Sequence, residues 1–164
     1  MVRIFDNFLD DVSFRKIYKE IMNDLFLWAW CDKIVEKDHI DNFQLYHQFY
    51  NNYEPQSPSY RTLDPLLKKL KVVSIIKIKA NLNSRTSKII EHGFHIDTEY
   101  KCSTGIFYLN TCDGYTVFEN GKKVESVANR YIEFDSNLKH SGTSTTNSKR
   151  RVVINFNYIN GNKD

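Results

Sequence analysis

Two histidines and one aspartate are the residues of this sequence best suited to bind a metal ion. His95 and Asp97 stand two positions apart in His95-Ile96-Asp97. Because side chains alternate between the two faces of a strand, a strand here would direct both toward one ion. His140 is the only histidine after Asp97 and follows it by 43 residues. Two imidazoles and a carboxylate on one octahedral face leave three positions open, which suits ferrous iron that binds a co-substrate and oxygen together.

The tripeptide alone is a weak signal, because His39-Ile40-Asp41 repeats it. Sequence context separates the two copies. His95-Ile96-Asp97 closes a strand-like run and is followed by further strand patterns and by His140, whereas His39 lies in a charged stretch. We therefore interpret His39 as a solvated loop residue and assign the metal to His95, Asp97 and His140.

Two adjacent arginines begin the last strand-like segment of the chain. Arg150 and Arg151 follow His140 by ten and eleven residues and precede Val152-Val-Ile-Asn-Phe-Asn-Tyr158. An arginine can grip a carboxylate with two parallel hydrogen bonds, and a buried arginine is unfavourable without an anion. Only one of the two can point inward. Arg151 is favoured because it shares a face with Asn155, and a polar face suits a wet cavity; Arg150 remains the alternative.

Hydrophobic spacing predicts helices first and strands afterwards. Residues 10–24 show the helical period, and a short helix is predicted around the leucines of residues 63–70. Aromatic segments at residues 25–30 and 43–50 predict two early strands. Eight further strands are predicted, at residues 72–80, 88–96, 104–110, 114–120, 122–127, 130–135, 138–143 and 151–159. This pattern favours a mainly β, double-sheet jelly roll with N-terminal helices packed on one sheet.

Composition excludes several other classes of protein. A chain of 164 residues with 41% hydrophobic residues is typical of one globular domain. Three cysteines without a C-x-x-C pair argue against a disulfide framework or a thiolate zinc site. A net charge of +3 gives no clear nucleic-acid signal. The sequence shows neither a membrane span nor a secretory signal, so a cytoplasmic location is expected.

The motifs together resemble the 2-oxoglutarate- and iron(II)-dependent dioxygenases, and within them the prolyl-hydroxylase-like branch. The resemblance covers residues 72–158. It rests on His95-Ile-Asp97, Gly105-Ile-Phe-Tyr-Leu-Asn110, Asp113-Gly-Tyr-Thr-Val-Phe118, His140-Ser-Gly142 and Arg151-Val-Val-Ile-Asn-Phe-Asn-Tyr158. The small size and the Asn-, Lys- and Ile-rich composition are also similar to compact oxygenases encoded in phage genomes, which would place the protein in a host cytoplasm.

The resemblance implies a fold, a set of cofactors and several further site residues. It implies a double-stranded β-helix, also called cupin-like, with residues 72–159 as the catalytic core and residues 1–71 as helical and strand support within one domain, 1–164. It assigns the far carboxylate of 2-oxoglutarate to Arg151 and to the hydroxyl of Tyr108, and it brings Asn155 toward the cavity. Many members carry an early tyrosine on the first core strand, and here Asn81 is the candidate for its role.

The activity that the resemblance implies is decarboxylation of 2-oxoglutarate coupled to hydroxylation of a substrate. The cofactors would be Fe(II), 2-oxoglutarate and O2, with ascorbate as a candidate reductant. A prolyl residue of a protein or peptide is the first candidate substrate, and a small molecule is the alternative. Two rival functions stay open: a non-catalytic jelly-roll module that binds a metal or ligand, and a zinc hydrolase with the same three ligands. The sequence does not indicate an oligomeric state.

Overall fold

The fold is mainly β, and a computed structural model describes it for residues 1–35 and 42–161. The helices in these residues are α1 (Asp11–Ile21), a 3-10 helix (Pro58–Leu63) and α2 (Asp64–Lys69). The strands are β1 (Arg3–Phe5), β2 (Ala29–Cys31), β3 (Gln44–Asn51), β4 (Glu54–Pro55), β5 (Val72–Ser84), β6 (Ser103–Tyr108), β7 (Tyr115–Phe118), β8 (Lys123–Glu125), β9 (Arg130–Asp135), β10 (His140–Gly142) and β11 (Arg150–Asn160). The tripeptide His39-Ile40-Asp41 lies outside the described residues.

Helix α1 begins where the sequence supplies a side-chain cap. The carboxylate of Asp10 accepts a hydrogen bond of 2.9 Å from the backbone amide of Ser13, which satisfies one of the free N–H groups at the helix start. The apolar stripe of the helix buries Ile17 and Ile21. Together with leucines of the 3-10 helix and α2, this stripe packs on one face of the large sheet. In the described ranges, no helix is both long and apolar enough to cross a membrane.

Eight of the described strands form one large antiparallel sheet. Its order is β1-β9-β6-β11-β5-β3-β2, and β4 pairs with the edge of β3. Strand β11 lies between β5 and β6. Its residues Val152, Ile154 and Phe156 pack against the helices, whereas Val153 faces the other side of the sheet. The alternation along β11 therefore serves two separate cores, one on each face.

The second sheet covers the face of the large sheet that the helices leave open. It consists of β10, β7 and β8 in that order. Phe118 of β7 and Val124 of β8 pack there against Ile106, Ile132 and Val153 of the large sheet. Two antiparallel layers with helices on one outer face confirm the predicted mainly β, jelly-roll class with its N-terminal helical cover.

The prediction of a continuous strand at residues 88–96 is wrong. The segment lies beside β10 but makes only isolated bridges there, between Glu91 and Thr143 and between His95 and His140. Gly93 interrupts it with a φ of 105°, a conformation that glycine adopts without steric strain. The hydroxyl of Ser141 accepts the Gly93 amide at 3.0 Å. The segment thus keeps its place next to β10 without regular pairing.

Other elements differ from prediction in extent. Strand β5 continues to Ser84, four residues beyond the predicted end. Residues 25–30 contribute only their last two positions to a strand, β2. Strands β1 and β4 were not predicted, and they are three and two residues long. Such short strands form by pairing with an existing sheet edge, here β9 and β3, so the local sequence carries little signal for them.

Candidate metal centre

Backbone pairing brings the two distant histidines face to face. The amide of His95 donates to the carbonyl of His140 at 3.0 Å, and the amide of His140 donates back to the carbonyl of His95 at 3.0 Å. Such a reciprocal pair places the two residues directly opposite each other on neighbouring chain segments. Their ring centroids are 4.9 Å apart. Asp97 follows two residues after His95, so the same bridge also fixes the carboxylate.

The three side chains converge on one point. One candidate ligand atom from each of His95, Asp97 and His140 lies within 4.8 Å of the others. Nε2 of His95 is 3.5 Å from Oδ1 of Asp97, and Nε2 of His140 is 3.7 Å from Oδ2 of Asp97. The structure therefore brings together the three residues that the sequence singled out, in an arrangement that could hold a metal.

The hydrogen bonds of the imidazoles fit a metal-bound state. Nδ1 of His95 is 3.2 Å from the carbonyl of Gly93, and Nδ1 of His140 is 3.2 Å from the carbonyl of Leu138. A histidine whose Nδ1–H donates to a carbonyl presents its Nε2 lone pair to an ion. Nε2 of His140 is buried and makes no hydrogen bond within the described part of the chain. A buried nitrogen without a partner is unfavourable, and an ion between the three side chains would satisfy it.

The protonation states of Asp97 and His140 suit a dication as well. Burial raises the pKa of Asp97, but the hydrogen bond with His95 and the charges of His140, His95 and Lys79 outweigh burial and hold it at about 2. Burial lowers the pKa of His140 more than Asp97 raises it. Burial also opposes the charged form of His95, yet the hydrogen bond and charge of Asp97 raise its pKa. At neutral pH the carboxylate is therefore ionised and His140 is neutral.

Asn155 supports the aspartate from the large sheet. Its Nδ2 donates to Oδ2 of Asp97 at 3.3 Å, and its Oδ1 is buried with no hydrogen-bond partner in the residues that the structure describes. The sequence brought Asn155 toward the cavity by its register with Arg151, and the structure places it on the cavity wall. Its contact orients the carboxylate, a common task of groups behind a metal ligand.

Arg151 lies at the deep end of the same cavity. The cavity has a volume of about 320 Å³, and Arg151 lines it together with the three candidate ligands. The side chain is 2% exposed. Its Nε donates to Ser126 Oγ at 2.7 Å, and its Nη2 donates to Thr116 Oγ1 at 3.1 Å. Gly114 leaves room for it, since a Cβ there would lie 2.6 Å from the Arg151 Cδ.

The charge of Arg151 has no counter-ion in the described part of the chain. Ion pairs there involve other groups, and the two hydrogen-bond partners of Arg151 are neutral hydroxyls. Burial lowers the pKa of Arg151, but a guanidinium stays charged at any ordinary pH. A buried cation without a counter-ion is unfavourable by several kcal/mol, on the order of what breaking a buried pair costs. The cavity is therefore suited to an anionic ligand.

Arg150 points to the opposite face of the sheet. Its Nη2 donates to the carbonyl of Met22 at 2.6 Å, on the side covered by the helices. The sequence left the choice between Arg150 and Arg151 open with a preference for Arg151. In the structure Arg151 is the one that lines the cavity.

Tyr108 contacts the arginine without lining the cavity. It is fully buried, and the Arg151 guanidinium lies 5.6 Å from its ring centroid. Its hydroxyl donates to Thr116 Oγ1 at 2.8 Å. Thr116 does line the cavity, and it accepts from both Tyr108 and Arg151, so its own proton is free for a ligand. Direct binding of a co-substrate by Tyr108 stays a prediction, and Thr116 is a wall residue that the sequence did not suggest.

Three further polar residues of the wall have buried atoms that find no hydrogen-bond partner among residues 1–35 and 42–161. They are Asn81 at Oδ1, Asn83 at Nδ2 and His92 at both ring nitrogens. Burial lowers the pKa of His92 to about 4, with the charges of Arg151 and His95 contributing, so its ring is neutral. Asn81 was the sequence candidate for the early tyrosine, whereas Asn83 and His92 were missed. Polar atoms left unpaired around one cavity indicate that a polar ligand completes them.

The chain is similar in fold to several solved structures. No protein-family model and no curated protein sequence matches the chain. A prolyl hydroxylase from Trichoplax adhaerens, in complex with a hypoxia inducible factor oxygen degradation domain peptide fragment, gives a TM-score of 0.67 at 15% identity over 97% of this chain and 83% of that chain. An oxidoreductase of the 2OG-Fe(II) oxygenase family from Burkholderia pseudomallei gives 0.67 at 13% identity over 97% and 87%.

A third neighbour carries out a different reaction. It is the non-heme alpha ketoglutarate dependent epimerase SnoN from nogalamycin biosynthesis, with a TM-score of 0.69 at 10% identity over 97% of this chain and 78% of that chain. At such identities the comparisons show a shared fold, the jelly roll of these oxygenases. A fold hosts more than one chemistry, so the function must be argued from the side chains of the cavity.

Proposed function

We propose that the chain is an Fe(II)- and 2-oxoglutarate-dependent dioxygenase that couples decarboxylation of 2-oxoglutarate to hydroxylation of a substrate. One observation carries the proposal: a His95–Asp97–His140 cluster shares a small cavity with a buried arginine that has no counter-ion among the described residues. A dicarboxylate could chelate a metal held by the three side chains at one end and pair with the arginine at the other end.

In this proposal each residue of the cavity has a defined task. His95, Asp97 and His140 hold the metal on one face, and Asn155 keeps the Asp97 carboxylate oriented. Arg151 binds the far carboxylate of the co-substrate, with Thr116 as a second donor. The hydroxyl of Tyr108, which donates to Thr116, is the third candidate for this carboxylate. When bound, iron with 2-oxoglutarate and O2 supplies the oxidising chemistry that yields succinate and a hydroxylated product. Ascorbate would serve as a reductant in the assay.

The surroundings of the site support chemistry that is shielded from water. The rings of Phe118 and Phe134 lie 6.3 and 4.9 Å from the ring of His140. Ile106 and Val153 contribute apolar side chains to the cavity wall. Apolar walls strengthen charge interactions inside a cavity and exclude side reactions with solvent. Residues 72–159 would form the catalytic core, with residues 1–71 as its support within one domain.

A prolyl residue of a peptide is the first substrate to test for this proposal. The motifs resemble the prolyl-hydroxylase-like branch, and a prolyl hydroxylase that binds a peptide shares the fold. Hydroxylation is favoured over halogenation because Asp97 supplies a carboxylate ligand, which related halogenases lack.

The experiment combines a binding signal with turnover. Purified protein with Fe(II) and 2-oxoglutarate under anaerobic conditions is expected to develop the visible charge-transfer band of the chelate, and exposure to oxygen is expected to release succinate. His95→Ala and His140→Ala should each abolish both signals, because two ligands hold iron too weakly. Arg151→Gln should retain iron but need more 2-oxoglutarate. Succinate release unchanged in all three variants would refute the proposal.

The same experiment separates the two rival functions. A metal-binding module without catalysis would bind iron but neither form the band with 2-oxoglutarate nor release succinate. A zinc hydrolase would bind zinc in preference and leave 2-oxoglutarate intact. The hydrolase also leaves unexplained why a buried arginine faces the cavity, and release of succinate distinguishes the oxygenase from a module that only binds a metal or a ligand.

A further inference from the structure

Strand β5 presents an alternating row of polar side chains to the cavity. Lys77, Lys79, Asn81 and Asn83 all line it, whereas Ile78, Ala80 and Leu82 between them belong to the core under the helices. The period of two places the lysines at one end of the row and the asparagines at the other. The cavity therefore has a second group of cations besides Arg151.

The pairing of β5 with β11 locates these lysines relative to the metal cluster. Asn83 pairs with Arg151, and Lys79 pairs with Asn155, which contacts Asp97. At about 3.3 Å per residue, Lys79 is roughly 13 Å along the strand from the arginine level. The metal cluster thus lies on the lysine side of the cavity, and Arg151 lies at the far end. A co-substrate whose far carboxylate binds Arg151 would not pair with Lys77 or Lys79.

Neither lysine forms an ion pair with an acidic side chain among the described residues. The cross-strand neighbours of Lys79 are the neutral amides of Gln48 and Asn155, and Lys77 pairs with Asn157. No ion pair found in the described residues includes either lysine. Burial and the charge of Lys77 lower the pKa of Lys79, whereas Asp97 raises it. Partly buried neighbouring lysines repel each other unless an anion lies between or beside them.

The excess of positive charge on the cavity wall would remain after iron and 2-oxoglutarate bind. Asp97 is the only carboxylate on the described part of the cavity wall, and it is a candidate metal ligand. A bound Fe(II) would offset Asp97 and add positive charge beside Lys79. A 2-oxoglutarate dianion would balance the remaining charge of the metal and that of Arg151. The two lysines would then still line the cavity as cations that no acidic residue of ranges 1–35 and 42–161 compensates.

We infer that the substrate carries an anionic group, a carboxylate or a phosphate, which Lys79 and Lys77 bind beside the metal. The inference rests on the proposed function and narrows its substrate class. A volume of about 320 Å³ is at the lower end of the range of small-ligand sites, about 300–1,000 Å³, so the anion belongs to a small molecule. A neutral prolyl peptide would leave both lysines without an anionic partner, although Lys79 lies over the ring of Tyr46 at 5.9 Å.

The first test measures anion binding without turnover. Protein loaded anaerobically with Fe(II) and 2-oxoglutarate is titrated with acetate and with inorganic phosphate against equal concentrations of sodium chloride, with calorimetry and the charge-transfer band as readouts. The wild type should show saturable binding. Lys79→Gln should weaken it by at least about 10-fold, the loss of one charge-assisted hydrogen bond. Lys16→Gln is the matched control, because Lys16 is exposed on α1 behind the sheet, and it should bind like the wild type.

A second arm identifies the source of the anion through succinate release. Free amino acids are compared with their primary amides, glycerol 3-phosphate is compared with glycerol, and a prolyl peptide with blocked ends and no acidic residue is included. The acids should stimulate turnover at least about 10-fold more than their neutral partners, and Lys79→Gln should erase that preference. Loss of selectivity is a change that a merely structural lysine would not produce.

The outcomes separate this inference from the proposed function. If the charge-transfer band does not form in the wild type, the proposed function fails and the inference fails with it. If the band forms but neither anion binds saturably, or Lys79→Gln binds both as well as the wild type does, the inference alone is overturned. Turnover stimulated by the blocked peptide and by none of the acids also overturns it. Where no probe is turned over, the binding titration decides.

Discussion

The two faces of β5 and β11 are built from neighbouring residues and yet have opposite character. On the helix side, Ile78, Ala80, Ile154 and Phe156 are fully buried hydrocarbon. On the cavity side the same strands present the polar row Lys77, Lys79, Asn81 and Asn83 and, across from it, Arg151 and Asn155. Several atoms on this second face have no hydrogen-bond partner in the described segments of the chain. Along the same strands, residues of a well-packed apolar core therefore alternate with polar residues whose hydrogen bonds are incomplete.

The difference indicates where stability and function reside. Apolar burial stabilises the fold by roughly 25 cal/mol per Å² of area removed from water. Unpaired buried polar groups destabilise it by about 1–3 kcal/mol each. Such groups persist in a folded protein where a ligand completes them. We therefore expect substitutions on the helix face to change unfolding, and substitutions on the cavity face to change ligand binding.

The largest effect on stability is expected for Phe156→Ala. Phe156 is 0% exposed on the helix face, and truncation of a buried phenylalanine costs about 3–5 kcal/mol through lost burial and the cavity left behind. Urea unfolding should show this loss. Fe(II) affinity of the fraction that stays folded should be unchanged, and a large drop in that affinity would contradict the division between the two faces.

Arg151→Met should separate stability from binding. It removes a buried cation that has no counter-ion in the described residues, so the protein without ligands should gain at least about 1 kcal/mol in urea unfolding. The affinity for 2-oxoglutarate should fall by about 10- to 100-fold, the worth of a charge-assisted contact. A variant that is both less stable and unchanged in 2-oxoglutarate affinity would mean that Arg151 has a structural task instead.

The smallest effect is expected for Asn155→Ala. Its side chain holds Asp97 by one hydrogen bond of 3.3 Å, and loss of such a supporting contact typically weakens a metal site by about 10-fold. A competition titration with Fe(II) and a chelator measures this. Stability should change little, since the variant also removes the buried Oδ1 that has no partner. Equal iron affinity in variant and wild type would show that Asp97 needs no support from β11.

The sequence predicted the parts of the fold that depend on local periodicity. The stripe of α1 and the alternation of β11 are regular, so they placed the helix and put Arg151 and Asn155 on one face. The segment before His95 could not be predicted as it is, because Gly93 and the hydroxyl of Ser141 replace regular pairing with isolated bridges. Tertiary contacts decide such geometry, and no local pattern encodes it.

Tertiary contacts also decide which residues form the cavity wall, so the sequence did not predict most of them. The strand was predicted only to residue 80, so the polar row from Lys77 to Asn83 was missed, and nothing in the local sequence shows that this face is enclosed. Thr116 and His92 have ordinary sequence contexts, and they matter only because β7 and the segment beside β10 bring them to Arg151 and His95. The place between Tyr108 and Arg151 that Thr116 occupies likewise depends on the packing of the two sheets.

The most direct test of the account is a crystal structure of the anaerobic complex with Fe(II) and 2-oxoglutarate, with the iron located by its anomalous scattering. The account predicts one iron bound by His95, Asp97 and His140, and the far carboxylate of 2-oxoglutarate against Arg151. Iron bound elsewhere, or 2-oxoglutarate bound away from Arg151, would contradict it.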